Sequence, residues 1–250
     1  MNILITGGSS DIARAIAKRR LNLGDKIIIT CSSEERLQKT LADYQEKNLD
    51  VTGFVYNFSN PEGSIDAITA LLKEPVDALI LNAFTRVTRF RKLHESRYET
   101  THDYIMQNVQ GNLWLLHRLL PGMLANNFGR LIFISSISAI TGTSRYGAYC
   151  AAKAAIEGLF LNLAVDYSAD NILANIVRLG TFKTDRTRLF WKNAQYQEKI
   201  AQITPQGAMG EPDQAAEALD PLLSPTSFMT GSVITVSGGL PLVRSEGLLS

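Results

Sequence analysis

Short apolar runs, each four to seven residues long and apolar on both faces, recur between longer segments of helical period from residue 2 onward. Residues 2–6 form the first such run and 12–23 the first helical segment, after which Gly24-Asp25 turns the chain. A second β-branched run covers 26–30, a second helix 34–47, and a third run 51–56 that Asn60-Pro61 ends. The same rhythm predicts helix over 65–72, strand over 78–81, a long helix over 98–120 and strand over 129–135. It continues with helix over 149–167, strand over 173–178, helix over 212–223 and a last strand over 232–236 that closes on Gly238-Gly239. Strands apolar on both faces and separated by helices can pair only through right-handed crossovers, which gives a parallel sheet covered on each side. The expected fold is therefore α/β, a doubly wound sheet of about seven strands.

Neither an internal repeat nor a Pro/Gly/Ser linker interrupts this rhythm, so residues 1–250 are read as one domain. Twenty-five Lys and Arg balance 24 Asp and Glu, leaving a formal charge of +1. No broad cationic field is present to hold nucleic acid or an anionic membrane, and a small-molecule partner is expected. Two cysteines, Cys31 and Cys150, lack CxxC spacing, which suits a reducing compartment. The first apolar run passes straight into Thr6-Gly7-Gly8, and no stretch reaches ~20 apolar residues, so a cytoplasmic protein is expected. His94, His102 and His117 have no ligand spacing, and no metal site is expected. Residues 181–209 carry Phe190, Trp191 and Tyr196 among polar residues late in the chain. They are either a mobile lid over a site or a decorated surface loop.

Thr6-Gly7-Gly8-Ser9-Ser10-Asp11-Ile12-Ala13 joins the first strand to the first helix. Free backbone N–H groups and the positive helix end receive a pyrophosphate at such a turn in the Rossmann fold. Ala13 is small enough for close helix–strand packing, and Asp11 is expected to cap the helix with its carboxylate turned away from a ligand. At the end of the second strand stands Thr30-Cys31-Ser32-Ser33, with no acidic residue to repel a 2′-phosphate. Ser32 and Ser33 can bond that phosphate, with Arg14 adding charge, so NADP(H) is expected in preference to NAD(H); they can equally cap the helix that starts at Glu34.

Tyr149 and Lys153 are spaced i, i+4 at the start of a helix and so share one face. Ser136 follows the strand at 129–135, where open α/β sheets build their sites, and Asn108 lies inside the long helix as a poor helix former. With Thr6-Gly7, Asn57-Phe58, Asn82-Ala83, Gly180 with Thr184, and Thr230-Gly231 to Gly238-Gly239, these residues resemble the short-chain dehydrogenase/reductase family across essentially the whole chain. The resemblance is nearest to the 3-oxoacyl-[acyl-carrier-protein] reductases. It implies a catalytic tetrad of Asn108, Ser136, Tyr149 and Lys153. It further implies cofactor contacts at Gly7, Gly8, Ser9, Ser10, Asp11, Ile12, Ser32, Ser33, Asn57, Phe58, Asn82, Ala83, Tyr149, Lys153, Gly180, Phe182 and Thr184. Phe84 stands where a glycine usually follows Asn-Ala, Leu179 replaces a proline, and Asn127 and Asp170 replace basic residues of the carrier-protein reductases.

A free phenol has a pKa near 10, and a nearby ammonium favours its ionised form, so Lys153 is expected to tune Tyr149. The implied reaction is hydride transfer between NADP(H) and a carbonyl or secondary alcohol. Tyr149 would exchange the proton, Ser136 would bond the oxygen, Lys153 would hold the nicotinamide ribose and Asn108 would order a water. A 3-oxoacyl thioester, free or on an acyl carrier protein, is the expected substrate. Dehydrogenation of a small alcohol, sugar or steroid is the enzyme alternative, and an idle nucleotide-binding scaffold is the alternative of another class. The helix over 98–120 is apolar beyond one stripe through Leu113, Trp114, Leu115, Leu116, Leu119 and Leu120, which indicates a second buried face: core packing alone, or, as the family resemblance implies, a subunit interface of a homodimer or homotetramer.

Overall fold

The structure is a computed structural model that describes residues 1–64, 68, 74–87 and 91–242. Among these residues one parallel sheet is built from β1 (Asn2–Ile5), β2 (Lys26–Cys31), β3 (Val51–Val55), β4 (Ala78–Leu81), β5 (Gly129–Ser136), β6 (Ile172–Leu179) and β7 (Val233–Val236). Their order is β3-β2-β1-β4-β5-β6-β7, every pair parallel. The helices are α1 (Asp11–Asn22), α2 (Glu34–Glu46), α3 (Tyr98–Ala125), α4 (Ser138–Thr141), α5 (Gly147–Tyr167), α6 (Arg188–Trp191), α7 (Ala194–Ile203), α8 (Pro212–Glu217) and α9 (Asp220–Leu223). The helix expected over 65–72 lies outside the described residues.

Alternation along each strand explains why both sheet faces are apolar. Leu4, Leu79, Leu81, Leu131 and Phe133 point to one side, where they meet Leu115 and Leu119 of α3 and Ile156 and Phe160 of α5. Ile3, Ile5, Ile80 and Ile132 point to the other, against Ile16 of α1, Leu37 of α2 and Ala215, Leu219 and Leu222 of the α8–α9 region. Two cores result, one on each face of the sheet. At the start of β5 the fully buried Arg130 donates to the carbonyls of Gly129 (2.9 Å), Asn171 (2.9 Å), Ser224 (3.1 Å) and Pro225 (2.9 Å). Burial lowers its pKa, and carbonyl dipoles rather than a carboxylate hold it in place.

Three elements depart from the expected pattern. Helix α3 continues through Pro121 to Ala125, because Pro121 and His117, four residues earlier, lie on the exposed side, where water can satisfy the freed carbonyl. The helix expected over 212–223 is two helices, α8 and α9; Pro221 has no N–H to continue the first and sits at the start of the second. Residues 181–209 are more regular than expected, since α6 and α7 occupy much of them. Against the expectation of no membrane-length apolar stretch, α5 and the turn after it, Gly147–Asp170, are long and apolar enough to span one by length and composition. Its apolar residues serve two surfaces: Ala152, Ile156, Phe160 and Leu163 pack on the sheet, while Leu161 and Val165 face outward.

Strand β1 has β2 on one side and β4 on the other, so the chain leaves the carboxyl ends of β1 and β4 in opposite directions. The crevice that this reversal opens is where doubly wound sheets bind ligands.

Candidate active site

The crevice begins at the β1–α1 turn. Thr6 is buried, and its Oγ1 accepts from the backbone N–H groups of Asn82 (3.0 Å) and Ala83 (2.9 Å). Asn82 returns the contact, donating from Nδ2 to Thr6 O (2.9 Å) and Ser10 Oγ (3.0 Å). Gly7 adopts φ +70°, and a Cβ there would lie 3.1 Å from the Ala83 backbone; a Cβ on Gly8 would lie 2.5 Å from Ile29. Both positions need glycine, and together they leave a bare concave backbone. Tyr44 Oη donates to Gly8 O (3.1 Å), fixing the turn from beneath.

The cap of α1 differs from expectation. Ser10, not Asp11, is the N-cap, accepting from Ala13 N (3.2 Å), because the turn delivers Ser10 in extended conformation immediately before the helix. Asp11 is the first helical residue, and its carboxylate accepts from the Asp185 N–H (2.7 Å), turned toward the segment after β6. The N–H groups of Asp11 and Ile12 in this first turn have no intrahelical acceptor. A side-chain-free concavity facing exposed helix N–H groups is the donor set that a pyrophosphate requires, so the residues present fit a dinucleotide.

At the end of β2, Ser33 caps α2, accepting from Arg36 N (3.4 Å), while Ser32 is exposed. The guanidinium of Arg14, expected to add charge there, is paired with Asp43 at 2.8 Å. Asn57 Oδ1 accepts from Ser59 N (2.9 Å), forming a tight turn after β3, and the Phe58 ring packs inward on Gly111 of α3. After β6, Gly180 passes close to Ser237, where a Cβ would lie 2.7 Å from its Cα. Phe182 is buried against Gly210, and the carbonyl of Thr184 accepts from Trp191 Nε1 (2.8 Å).

Ser136 ends β5 and Tyr149 lies in the first turn of α5, and the Ser136 hydroxyl lies close enough to the Tyr149 phenol to favour its ionised form. Burial pushes the Tyr149 pKa up; the Ser136 hydroxyl and the positive charge of Arg186 pull against that rise. Lys153 lies one turn along the same helix face, as the i, i+4 spacing requires. Its ammonium, however, does not take the expected place beside the phenol oxygen. Nζ donates to Ile134 O at 2.6 Å, 3.8 Å from the Phe84 ring centroid and 5.8 Å from that of Tyr149. Burial holds its pKa well below the ordinary lysine value, with Arg186 adding to the fall and Glu157 opposing it. In this conformation Lys153 does not tune Tyr149 by contact. A buried ammonium without a contacting carboxylate has settled on a carbonyl and on aromatic faces.

Asn108 is fully buried and its amide is spent on structure. Oδ1 accepts from Thr85 N (2.8 Å), while Nδ2 donates to Thr85 Oγ1 (2.6 Å) and Tyr104 O (2.7 Å). With both donors taken, its side chain clamps α3 to the segment after β4 rather than showing the water-holding role expected of it. Three neighbours escaped the sequence reading. Tyr104 Oη donates to Thr85 O (3.0 Å), and Arg186 donates to Phe84 O (2.7 Å), which brings a cation beside the phenol. Beneath them Glu157 accepts from Ser135 Oγ (2.6 Å) and from Arg178 (2.6 and 2.9 Å). Only the acid–base pair at Glu157 and Arg178 left a trace in sequence, as charges at positions where the helix and strand should be buried.

Comparison with known proteins agrees with this geometry. Residues 1–195 match the family model described as short chain dehydrogenase. The 3-oxoacyl-[acyl-carrier-protein] reductase of Rickettsia bellii is 32% identical over 242 residues, covering 96% of each chain. Dehydrogenase/reductase SDR family member 4 of Oryctolagus cuniculus is 29% identical over 241 residues, covering 95% of this chain and 92% of its own. Among solved structures, levodione reductase superposes with a TM-score of 0.83 at 27% identity, covering 95% of this chain and 96% of that one. The chain belongs to the short-chain dehydrogenase/reductase family and is an NAD(P)-binding oxidoreductase that acts between CH–OH and carbonyl groups.

Proposed function

We propose that the protein is an NADP(H)-dependent ketoreductase whose substrate is a 3-oxoacyl thioester. The observation that carries the reading is the pairing of Ser136 with a partly buried Tyr149 at the carboxyl end of the sheet, one helical turn from Lys153. When bound, the cofactor supplies the hydride. Gly7, Gly8, Ser9, Ser10, Asp11 and Ile12 would hold its pyrophosphate; Ser32 and Ser33 its adenosine end; Asn57, Phe58, Asn82, Ala83, Gly180, Phe182 and Thr184 the remainder. Tyr149 delivers the proton to the carbonyl oxygen, and Ser136 donates a hydrogen bond to the charge that grows there. Arg186, by favouring phenolate, offsets part of the burial that would otherwise keep Tyr149 from giving up its proton. Lys153, which donates to the Ile134 carbonyl in this structure, would hold the nicotinamide ribose of a bound cofactor.

The thioester is supported by the 32% identity to a 3-oxoacyl-[acyl-carrier-protein] reductase over nearly the whole of both chains. Delivery by an acyl carrier protein is the weaker part, since Asn127 and Asp170 present no cation to an acidic partner. That observation favours a second reading, a small ketone or alcohol taken free from solution. Residues 181–209 form the lid in either case, with Phe190, Tyr196 and Ile203 as its apolar side. Association through α3 and α5 into a homodimer or homotetramer would cover Met106, Leu113, Leu161 and Val165, and a cytoplasmic location follows from the same reading.

The test is a substrate panel of acetoacetyl thioester, cyclic ketones and sugars, each with NADPH and NADH, run on the parent chain and Tyr149→Phe. Turnover of the thioester with NADPH supports the proposal. Tyr149→Phe is expected to keep nicotinamide fluorescence enhancement and to lose about 10²–10⁴-fold in kcat; near-normal kcat in that variant overturns the assignment.

A further inference from the structure

Lys153 poses a charge problem. Its side chain is buried in α5, and an ammonium taken out of water needs a partner. The groups that face it do not provide an anion in contact. Glu157 of α5 is already held by Arg178 of β6 and Ser135 of β5, Arg186 from the segment after β6 is itself a cation, and Tyr149 is a phenol. Among the described residues no carboxylate lies within 4 Å of Nζ. What does touch it is the Ile134 carbonyl at 2.6 Å, the Phe84 ring at 3.8 Å and the Phe133 ring at 4.6 Å, both measured to the centroid.

Phe84 follows Asn82-Ala83, at the position where the family resemblance leads one to expect glycine, with no side chain at all. Its ring is not free to wander. Arg186 bonds its carbonyl, Tyr149 stands edge-on to it at 5.8 Å and 78°, and Phe133 lies tilted 42° against it at 6.2 Å. An aliphatic residue would fill the same apolar space; only an aromatic one offers a negative face to a cation. We infer that Phe84 is a positioning residue for Lys153, its ring acting with Phe133 as the counter-charge that keeps a buried ammonium protonated on the Ile134 carbonyl. The seat places the charge one side-chain rotation from Tyr149, so the lysine waits charged inside the protein rather than being drawn from solvent.

The kinetic consequence rests on the proposed proton-transfer roles of Tyr149 and Lys153, but the seat itself is testable in the ligand-free chain. Lysine is labelled with ¹³C at Cε, the Lys153 resonance is assigned by its loss in Lys153→Met, and its titration is followed in the parent, Phe84→Leu and Phe84→Tyr. Phe84→Leu is expected to lower the Lys153 midpoint by about half to one and a half units, and Phe84→Tyr to leave it within a few tenths. Stepwise fluorination of the Phe84 ring strips its negative face at nearly constant volume, so the midpoint should fall with each fluorine even if the leucine variant folds poorly. In turnover assays the alkaline limb of kcat should move the same way, whereas a packing role alone would change amplitude without moving the limb. An unmoved midpoint across the fluorinated series, or equal shifts in the leucine and tyrosine variants, overturns the seat. Absence of turnover in the parent overturns the ketoreductase reading instead and leaves the titration to decide this one.

Discussion

If the protein takes NADP(H) as proposed, Ser32 is the residue expected to set that choice. It is exposed at the end of β2, whereas Ser33 is committed to capping α2 and Arg14 to Asp43. The hydroxyl accepts or donates to a 2′-phosphate without repelling it, while a carboxylate there would repel the phosphate and bond the ribose hydroxyls instead. Ser32→Asp is therefore expected to lower the NADPH/NADH ratio of kcat/KM at least about tenfold, as steady-state assays with the two cofactors would read; an unchanged ratio would place the discrimination elsewhere. At this scale the sequence was informative where chemistry depends on spacing within one element. Tyr149 and Lys153 share a face because i and i+4 must, and Ser136 lies at a strand end because the apolar run stops there. It was silent where a side chain's direction is set from afar. Lys153 points at Ile134 because Phe84 and Phe133 line its path, Asn108 is spent on Thr85, and Arg186 reaches Phe84 across 102 positions of chain. No local pattern encodes these contacts.

At the scale of elements, α3 ties the site to the sheet edge. Gly111 lets the helix approach the Phe58 ring so closely that an added Cβ would meet Cγ at 2.6 Å and Cδ1 at 2.7 Å. Gly111→Ala gains helix propensity, yet it must push the ring or the helix aside. Overpacking of this kind outweighs the gain, and the expected net loss is about 1–2 kcal/mol, measurable as a lower urea midpoint at unchanged slope. Strand positions were legible because alternation and length are local properties, and Ala78–Leu81 appears with the bounds its apolar run indicates. Helix ends were less so. Pro121 reads as a stop in any sequence, but it is tolerated because that side of α3 faces water; Pro221 reads as an ordinary interior residue of an apolar stretch, but it divides α8 from α9. Whether a proline breaks or merely marks a helix depends on which way its ring faces, and that is decided by the sheet.

For the whole molecule, three phenols make stability depend on alkaline pH. Tyr44, Tyr56 and Tyr104 are bonded to the carbonyls of Gly8, Gly111 and Thr85, and burial raises the pKa of each above the usual 10.0. In the unfolded chain they ionise near that value while the folded chain still holds its protons. Stability is thus unaffected well below pH 10 and falls as pH rises through it. Lys153 acts in the opposite sense: its folded pKa is lowered, so the folded state is penalised at lower pH and relieved as pH approaches 10.5. Burial shifts Tyr146, Tyr149 and the Cys31 thiol the same way, so the raised groups outnumber the one lowered lysine and give a net fall, which urea denaturation between pH 8 and 11 should record, with a shallower decline in Tyr56→Phe. An increase in stability over that range would contradict the burial of these hydroxyls.

The all-parallel order of the sheet carries a kinetic consequence. Ile3 lies beside Ala78, and Gly129 beside Ile172, so no strand finds its neighbour through a tight turn. Each pairing must close a long loop before any ladder contact rewards it, so this chain commits its entropy early and folds slowly. Half-made sheets with bare strand edges are the species that a ribosome or a refolding vessel would hold longest.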